Sequence, residues 1–228
     1  MSGLRGFAAR SKNLVIAIPG GNLSRDALGL LERIGHQTDE MVKNPRRQLF
    51  PELGLMTMRP SDVITYVSAG AADVGIAGKD VIAEYATDGA VYEILDLGFG
   101  ACRMALATRE GKDNPVDAAM TRFGVARIGS KYPRTARAWA YRTGRSIEVI
   151  ELKGSVELAP IVGLVDGIVD IVDTGRTLAE NGLIERETIA NSSARLVVNP
   201  TSYTHKGELI ERFNSAVQAE LDREGDSS

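Results

Sequence analysis

Residues 163–178 read Gly-Leu-Val-Asp-Gly-Ile-Val-Asp-Ile-Val-Asp-Thr-Gly-Arg-Thr-Leu. The apolar run Ile168–Val172 carries a single acid, Asp170, and reads as a buried strand. It stops at Asp173-Thr174-Gly175, and Arg176-Thr177-Leu178-Ala179-Glu180 then opens a short helix that Asn181-Gly182 closes. A strand that hands hydroxyls, a glycine and an arginine to a helix N-terminus is built like a phosphate cradle. Free N–H groups point outward there, the helix dipole favours an anion, and glycine lets the backbone approach the oxygens. Arg176 adds a fork-shaped cation, while Thr174 and Thr177 add neutral donors. Asp170 and Asp173 are too acidic to hold phosphate directly and suit a ribose diol or a Mg²⁺ ion beside it. The same stretch also fits an ordinary capped helix start, with Asp173 or Thr174 as N-cap and Gly175 as a turn residue.

Strand and helix patterns alternate on either side of this stretch, which predicts α/β layering with mainly parallel sheets. Strands are expected at Leu14–Ile18, Leu53–Met58, Ala72–Ala77, Val91–Leu97 and Arg103–Thr108, with helices from Ser24, Pro60 and Lys79 between the first four. The polar link Arg109–Asn114, ending at Pro115, is the best boundary candidate. Beyond it come strands at Gly124–Ile128 and Ile147–Leu152, helices at Arg134–Tyr141 and Glu157–Leu164, the quoted strand, a strand at Arg195–Val198 and a helix at Lys206–Leu221. A faint echo links Asp73-Val-Gly-Ile-Ala-Gly78-Lys79 to Asp170-Ile-Val-Asp-Thr-Gly175-Arg176: an acid, four residues, a glycine and a cation. It reads either as coincidence between two βα turns or as two like-built lobes offering one helix N-terminus each.

Composition narrows the function. With 228 residues, 43% of them hydrophobic and 25% charged, the chain can bury a substantial core. A net charge of −3 implies no broad basic surface, so nucleic acid is not expected and any phosphate binding must be local. A single cysteine, Cys102, suits a reducing cytoplasm, and with only His36 and His205 a Cys/His zinc site is not expected. No apolar run reaches membrane-span or signal-peptide length, so a cytoplasmic chain that does not engage the membrane is expected.

Several separated blocks resemble one family. Gly154-Ser-Val-Glu-Leu-Ala-Pro160, Gly163-Leu-Val-Asp and Asp170-Ile-Val-Asp-Thr-Gly-Arg-Thr-Leu178 are similar to the signature of ATP phosphoribosyltransferase, the enzyme that opens histidine biosynthesis. Arg59-Pro-Ser-Asp62, Gly70-Ala-Ala-Asp73-Val-Gly-Ile76, Gly78-Lys-Asp80, Leu95-Asp-Leu-Gly-Phe-Gly100 with Cys102-Arg103, Ser130-Lys-Tyr-Pro133 and Ser192-Ser-Ala-Arg-Leu-Val-Val-Asn199 match as well. The resemblance runs from Leu14 to Tyr203 and implies two lobes of periplasmic-binding-protein-like type with a ligand cleft between them. Combined with the boundary candidate, it puts lobe I at residues 1–109 and 183–228 and lobe II at 110–182.

The resemblance implies attack by N1 of ATP on C1 of phosphoribosyl pyrophosphate, with Mg²⁺ carried by the phosphates. Asp173, Thr174, Gly175, Arg176 and Thr177 would hold the 5′-phosphate, and Glu157 and Asp170 the ribose hydroxyls. Gly21, Asn22, Arg46, Asp80 and Tyr132 would face ATP and the polyphosphate, Tyr132 near the adenine. Helix capping by Glu157, a surface tyrosine and a solvated arginine beside Arg47 are the competing readings. Few residues follow Tyr203, so the chain resembles the short form. In that form a histidyl-tRNA-synthetase-like regulatory subunit joins a homodimer of the catalytic chain in a larger hetero-oligomer.

One departure stands out. Where the family reads Lys-Gly-Arg-Leu after the first strand, this chain has Gly20-Gly21-Asn22-Leu23. A glycine turn still offers N–H groups, but each missing charge-assisted contact is worth about 1.5–3 kcal/mol. Lys12, Lys79 or a partner subunit compensates, or the chain is a catalytically weak paralogue that binds nucleotide or a phosphorylated ligand in the same cleft.

Overall fold

The structure is a computed structural model that describes residues 13–226. Lys12, named above as a substitute cation, lies outside the described residues. The chain divides into two compact units, Met1–Gly100 with Ser193–Ser228 and Ala101–Ser192.

The first unit is built on a six-stranded sheet in the order β2-β3-β1-β4-β11-β5. Its strands are β1 (Ile16–Pro19), β2 (Leu49–Phe50), β3 (Leu55–Met58), β4 (Val74–Gly78), β5 (Tyr92–Asp96) and β11 (Ala194–Val198). Alternation along β1 explains the layering. Ile16 and Ile18 pack with Ala27, Leu30 and Leu31 of helix Ser24–Arg33 and with Ile210 and Val217 of the C-terminal helix. Val15 and Ala17 face Val63, Ile64 and Val67 of helix Pro60–Ser68 and Val81 of helix Lys79–Tyr85. With both faces covered, β1 and β4 are buried throughout.

The second unit carries a five-stranded sheet, β10-β6-β9-β7-β8, made of β6 (Cys102–Arg109), β7 (Ala126–Ser130), β8 (Ile147–Glu151), β9 (Gly167–Val172) and β10 (Leu183–Ser192). Met104, Leu106, Ile128 and Val169 face helices Pro115–Phe123 and Pro133–Thr143, with Trp139 at the centre. Ala105, Ala107, Ile168 and Val172 face Val156, Ala159 and Leu178 on the other side.

Three expectations change. The sheets are mixed: β1 pairs parallel with β3 and β4, and β7 with β8 and β9, while β2, β5, β6, β10 and β11 enter antiparallel. The boundaries fall at 100/101 and 192/193 rather than 109/110 and 182/183, because β6 and β10 pair with each other and complete the second sheet. Two sizeable elements were unread. Helix Pro115–Phe123 was announced by Asn114, whose side chain accepts from Val116 N, by Pro115 at its first turn and by Gly124 at its end. Strand β10 hid because it is polar, half exposed and broken by two register shifts.

The C-terminal helix is tied down by a buried ion pair. Asp73, 1% exposed, accepts from Val15 N at 2.9 Å and from Lys206 Nζ at 2.8 Å. Lys206 sits where helix Pro200–Asp226 is interrupted by non-helical backbone, and its ammonium also donates to Asn13 O. Removing one partner leaves a buried charge uncompensated, so Lys206→Met should destabilise the fold by about 3–5 kcal/mol. Adding Asp73→Asn removes both charges and should recover a large part of that loss in urea denaturation. A single variant within about 1 kcal/mol of the parent would show that the pair is not an anchor.

Candidate active site

Strands β8, β7 and β9 run parallel, with Ser130 in register with Glu151 and with Val169. Their carboxyl ends therefore share one edge of the second sheet, the place where α/β layers put ligand-binding loops. From β7 this edge receives Lys131, from the loop after β8 Glu157, and from β9 Asp170 and the turn 173–177.

Asp170 alternates with Ile168 and Val172, so it faces the layer that holds Val156, Ala159 and Leu178. Glu157 opens the short helix Leu158–Ile161 in that same layer. Its side chain makes no capping bond, so the helix-cap reading fails. Ser155, two residues before it, is the one non-glycine with positive φ (47°) among the described residues. Backbone strain of that kind clusters at functional sites. Asp170 is 8% exposed, and its Oδ1 accepts from Ile171 N at 2.9 Å. Lys131 Nζ stands 3.8 Å from Asp170 Oδ2, close enough for charge pairing and too far for a good hydrogen bond.

The turn itself is open. Gly175 has φ 80°, a left-handed conformation that costs glycine little, and it precedes helix Arg176–Glu180. The first internal helix bond runs from Ala179 N to Gly175 O at 3.1 Å. Neither Asp173 nor Thr174 caps the helix well: Thr174 Oγ1 receives Arg176 N at a long 3.4 Å, and Asp173 makes no capping contact. Asp173, Thr174, Arg176 and Thr177 are exposed. Two hydroxyls and a guanidinium are thus open to solvent at the start of a helix, where the first N–H groups have no helical acceptor. Behind the turn, Arg103 Nη1 donates to Asp173 O at 2.8 Å while Arg103 forks the Glu185 carboxylate.

Tyr132 is not part of this cluster. It is 8% exposed, packs on the opposite face with Trp139 and Ala136, and its N–H is held by Ser130 Oγ at 2.9 Å. That burial also excludes the surface-tyrosine reading. Lys131 and Arg103 were both missed as functional candidates, although each stood inside a matched block, Ser130-Lys-Tyr-Pro133 and Cys102-Arg103.

The first unit has a comparable edge, where β3, β1 and β4 end. Gly21 and Asn22 follow β1 and are exposed, and Asp80 follows β4. Asp80 folds back so that its carboxylate fills the space beside Gly78. Strand β2 runs antiparallel to β3, so the chain reaches it from this same edge, and Arg46 lies just before it. Arg47 binds Leu49 O and Glu52 and covers the Phe50 ring, whereas Arg46 is exposed and makes no side-chain bond among the described residues. Lys79 donates to Glu93 at 2.5 Å and is therefore already committed. The echo between Gly78 and Gly175 is only partial, since β4 runs directly into its helix and β9 does not.

Among the described residues no group of three or more His, Cys, Asp or Glu could hold a metal ion. Single carboxylates such as Asp170 and Asp173 fit a divalent ion that brings other oxygens with it, as Mg²⁺ on phosphates does. Among the described residues, no helix is long and apolar enough to cross a membrane.

Comparison with known proteins agrees with these motifs. The family model HisG: ATP phosphoribosyltransferase matches residues 59–219. The ATP phosphoribosyltransferase of Bacillus pumilus is 44% identical over 207 residues, 89% of this chain and 92% of that protein. That of Bacillus subtilis is 42% identical over 218 residues, covering 93% and 98%. The ATP phosphoribosyl transferase (HisG:HisZ) complex from Thermotoga maritima contains a chain 34% identical, with a TM-score of 0.76 over 92% of this chain and 99% of that one. A mutant of ArgBP from T. maritima shares the fold alone, at 15% identity and a TM-score of 0.58 over 94% and 91% of the two chains. The chain is an α/β protein of the two-lobed, periplasmic-binding-protein-like type and belongs to the ATP phosphoribosyltransferase family.

Proposed function

We propose that the chain transfers the phosphoribosyl group of phosphoribosyl pyrophosphate to N1 of ATP, releasing pyrophosphate, the first step of histidine biosynthesis. The observation that carries this reading is the identity with full-length relatives named ATP phosphoribosyltransferase. A bond forms from N1 to C1, the bond from C1 to the pyrophosphate oxygen breaks, and the electron pair leaves with pyrophosphate. No general acid or base is assigned. The residues align the partners and balance charge as it develops.

In this reading Asp173–Thr177 hold the 5′-phosphate through open N–H groups, the hydroxyls of Thr174 and Thr177, and Arg176. Glu157 and Asp170 accept from the ribose hydroxyls, and Lys131 beside Asp170 balances charge. Gly21, Asn22 and Arg46 attend the polyphosphate. The assignments of Asp80 and Tyr132 have less support, because the first is folded back and the second is in the core. Mg²⁺, arriving on the phosphates, supplies neutralisation of pyrophosphate charge when bound. The HisG:HisZ complex supports a partner subunit for this chain, and the family resemblance makes that partner a histidyl-tRNA-synthetase-like regulatory subunit joined to a catalytic homodimer. The substrates and the lone cysteine favour the cytoplasm.

A second reading, a weak paralogue binding nucleotide or a phosphorylated ligand, is favoured by the uncharged Gly20-Gly21-Asn22 turn and by the commitment of Lys79 to Glu93. An absorbance assay for phosphoribosyl-ATP, with ATP, phosphoribosyl pyrophosphate and Mg²⁺, separates the two. Turnover with or without a regulatory subunit supports the transferase, and binding of both substrates without turnover in either case supports the paralogue.

Three further outcomes are expected. Arg176→Ala and Thr177→Val should each weaken phosphoribosyl pyrophosphate by roughly tenfold while sparing ATP. Calorimetry with unchanged affinity in both variants would remove the phosphate assignment. Without a regulatory subunit, turnover should be insensitive to histidine, with inhibition appearing once that subunit is added. Inhibition of the purified chain alone, away from the active site, contradicts this. Finally, Gly20 has extended backbone, and a Cβ there would lie 3.2 Å from Met58 O, so a side chain fits after a small shift. Gly20→Lys with Asn22→Arg should raise kcat/KM for phosphoribosyl pyrophosphate by about tenfold per restored contact. A flat result in a folded variant means the site draws its cations from elsewhere.

A further inference from the structure

The geometry points to Arg103, backed by Glu185, as the positioning residue of the phosphate turn; this rests on the proposed role of residues 173–177. Strand β6 lies antiparallel to β9 with Arg103 opposite Val172, the last residue before the turn. Arg103 Nη1 donates to the Asp173 carbonyl at 2.8 Å. Further contacts run to Glu185, Nε to Oε2 at 2.9 Å and to Oε1 at 3.1 Å, and Nη2 to Oε2 at 2.7 Å. Glu185 is itself held, because Thr188 Oγ1 donates to its Oε1 at 2.6 Å. Alternation along β6 places Arg103 on the face of Ala105 and Ala107, the layer that Asp170 also faces.

A planar fork held by a carboxylate along its Nε–Nη2 edge has the direction of its Nη1 donors fixed. That direction sets the Asp173 peptide, and with it the N–H groups that follow. Gly175 gives the turn little stiffness of its own, since glycine accepts φ of either sign. The clamp therefore lowers the ordering cost of binding without touching the ligand. Donation from Arg103 also holds the Glu185 carboxyl below the usual carboxylate range. Lysine keeps the charge at position 103 but cannot make the fork and the third bond together.

A double-mutant cycle on the full chain tests this, using Arg103→Lys and Thr177→Val with calorimetry of phosphoribosyl pyrophosphate and of ATP. Each single variant should weaken phosphoribosyl pyrophosphate by roughly tenfold, and ATP by less than about twofold. The double variant should fall well short of the roughly hundredfold product, because both changes act on one turn. A merely structural role for Arg103 would lower the melting temperature without this coupling. Unchanged affinity in Arg103→Lys, or effects that multiply, overturns the positioning role. A silent Thr177→Val with a weakened Arg103→Lys instead overturns the phosphate reading of the turn, and the clamp's purpose with it. If Arg103→Lys does not fold, Glu185→Gln replaces it in the cycle. That change keeps the size of the side chain and loosens the fork, and the same non-additive pattern is expected at a smaller amplitude.

Discussion

Strands buried on both faces dictate where chemistry can occur in this protein. β1 and β4 in the first unit and most of β9 in the second are covered by helices on each side, so their side chains are committed to packing. A charge in mid-strand would pay for desolvation without repayment. Polar groups are therefore driven to the strand ends, and parallel pairing gathers several ends on one edge. Asp170 is the exception that fits the rule. It lies two residues from the end of β9, keeps one oxygen on the backbone and has Lys131 within charge range.

The proposed pentosyl transfer asks for alignment of two highly charged substrates, so the cations left open near the two edges matter. Many basic side chains near the two edges are already spent on structure. Lys79 serves Glu93, Arg47 serves Glu52 and Phe50, and Arg195 bridges Glu93 and Asp96. Arg46 and Arg176 remain exposed to solvent and make no ion pair among the described residues. With glycine and asparagine in the first βα turn, the proposed polyphosphate contacts there would come from backbone N–H groups more than from charged side chains. Such donors are held by the fold and need no rotamer ordering on binding.

The antiparallel strands do a different job. β6 lies beside β9 and β10 beyond it, outside the parallel trio, and they supply the side chains that brace the turn from behind: Arg103 from one, Glu185 and Thr188 from the other. β6 also begins directly after the chain passes from the first unit into the second. The brace thus depends on residues more than eighty positions apart in sequence, Arg103 and Glu185. Only a folded sheet unites them.

Local order was written in the chain. The apolar run Ile168–Val172, the Thr-Gly-Arg turn, the closing Asn181-Gly182 and the α/β alternation each follow from propensity and spacing within a few residues, and the structure keeps them. The family motifs were legible for the same reason, because contiguous blocks form individual loops. What depended on tertiary structure was pairing and burial. Sheet direction, the edge strand β10 and the crossings at 100/101 and 192/193 are set by which distant strand satisfies a backbone, and periodicity carries no such information. Tyr132 stood in a matched block yet lies in the core, since at the start of helix Pro133–Thr143 it packs with Ala136 and Trp139 of that helix. Arg103 carried no visible role until Asp173 and Glu185 were brought to it, because a hydrogen bond needs position and direction, and sequence alone gives neither.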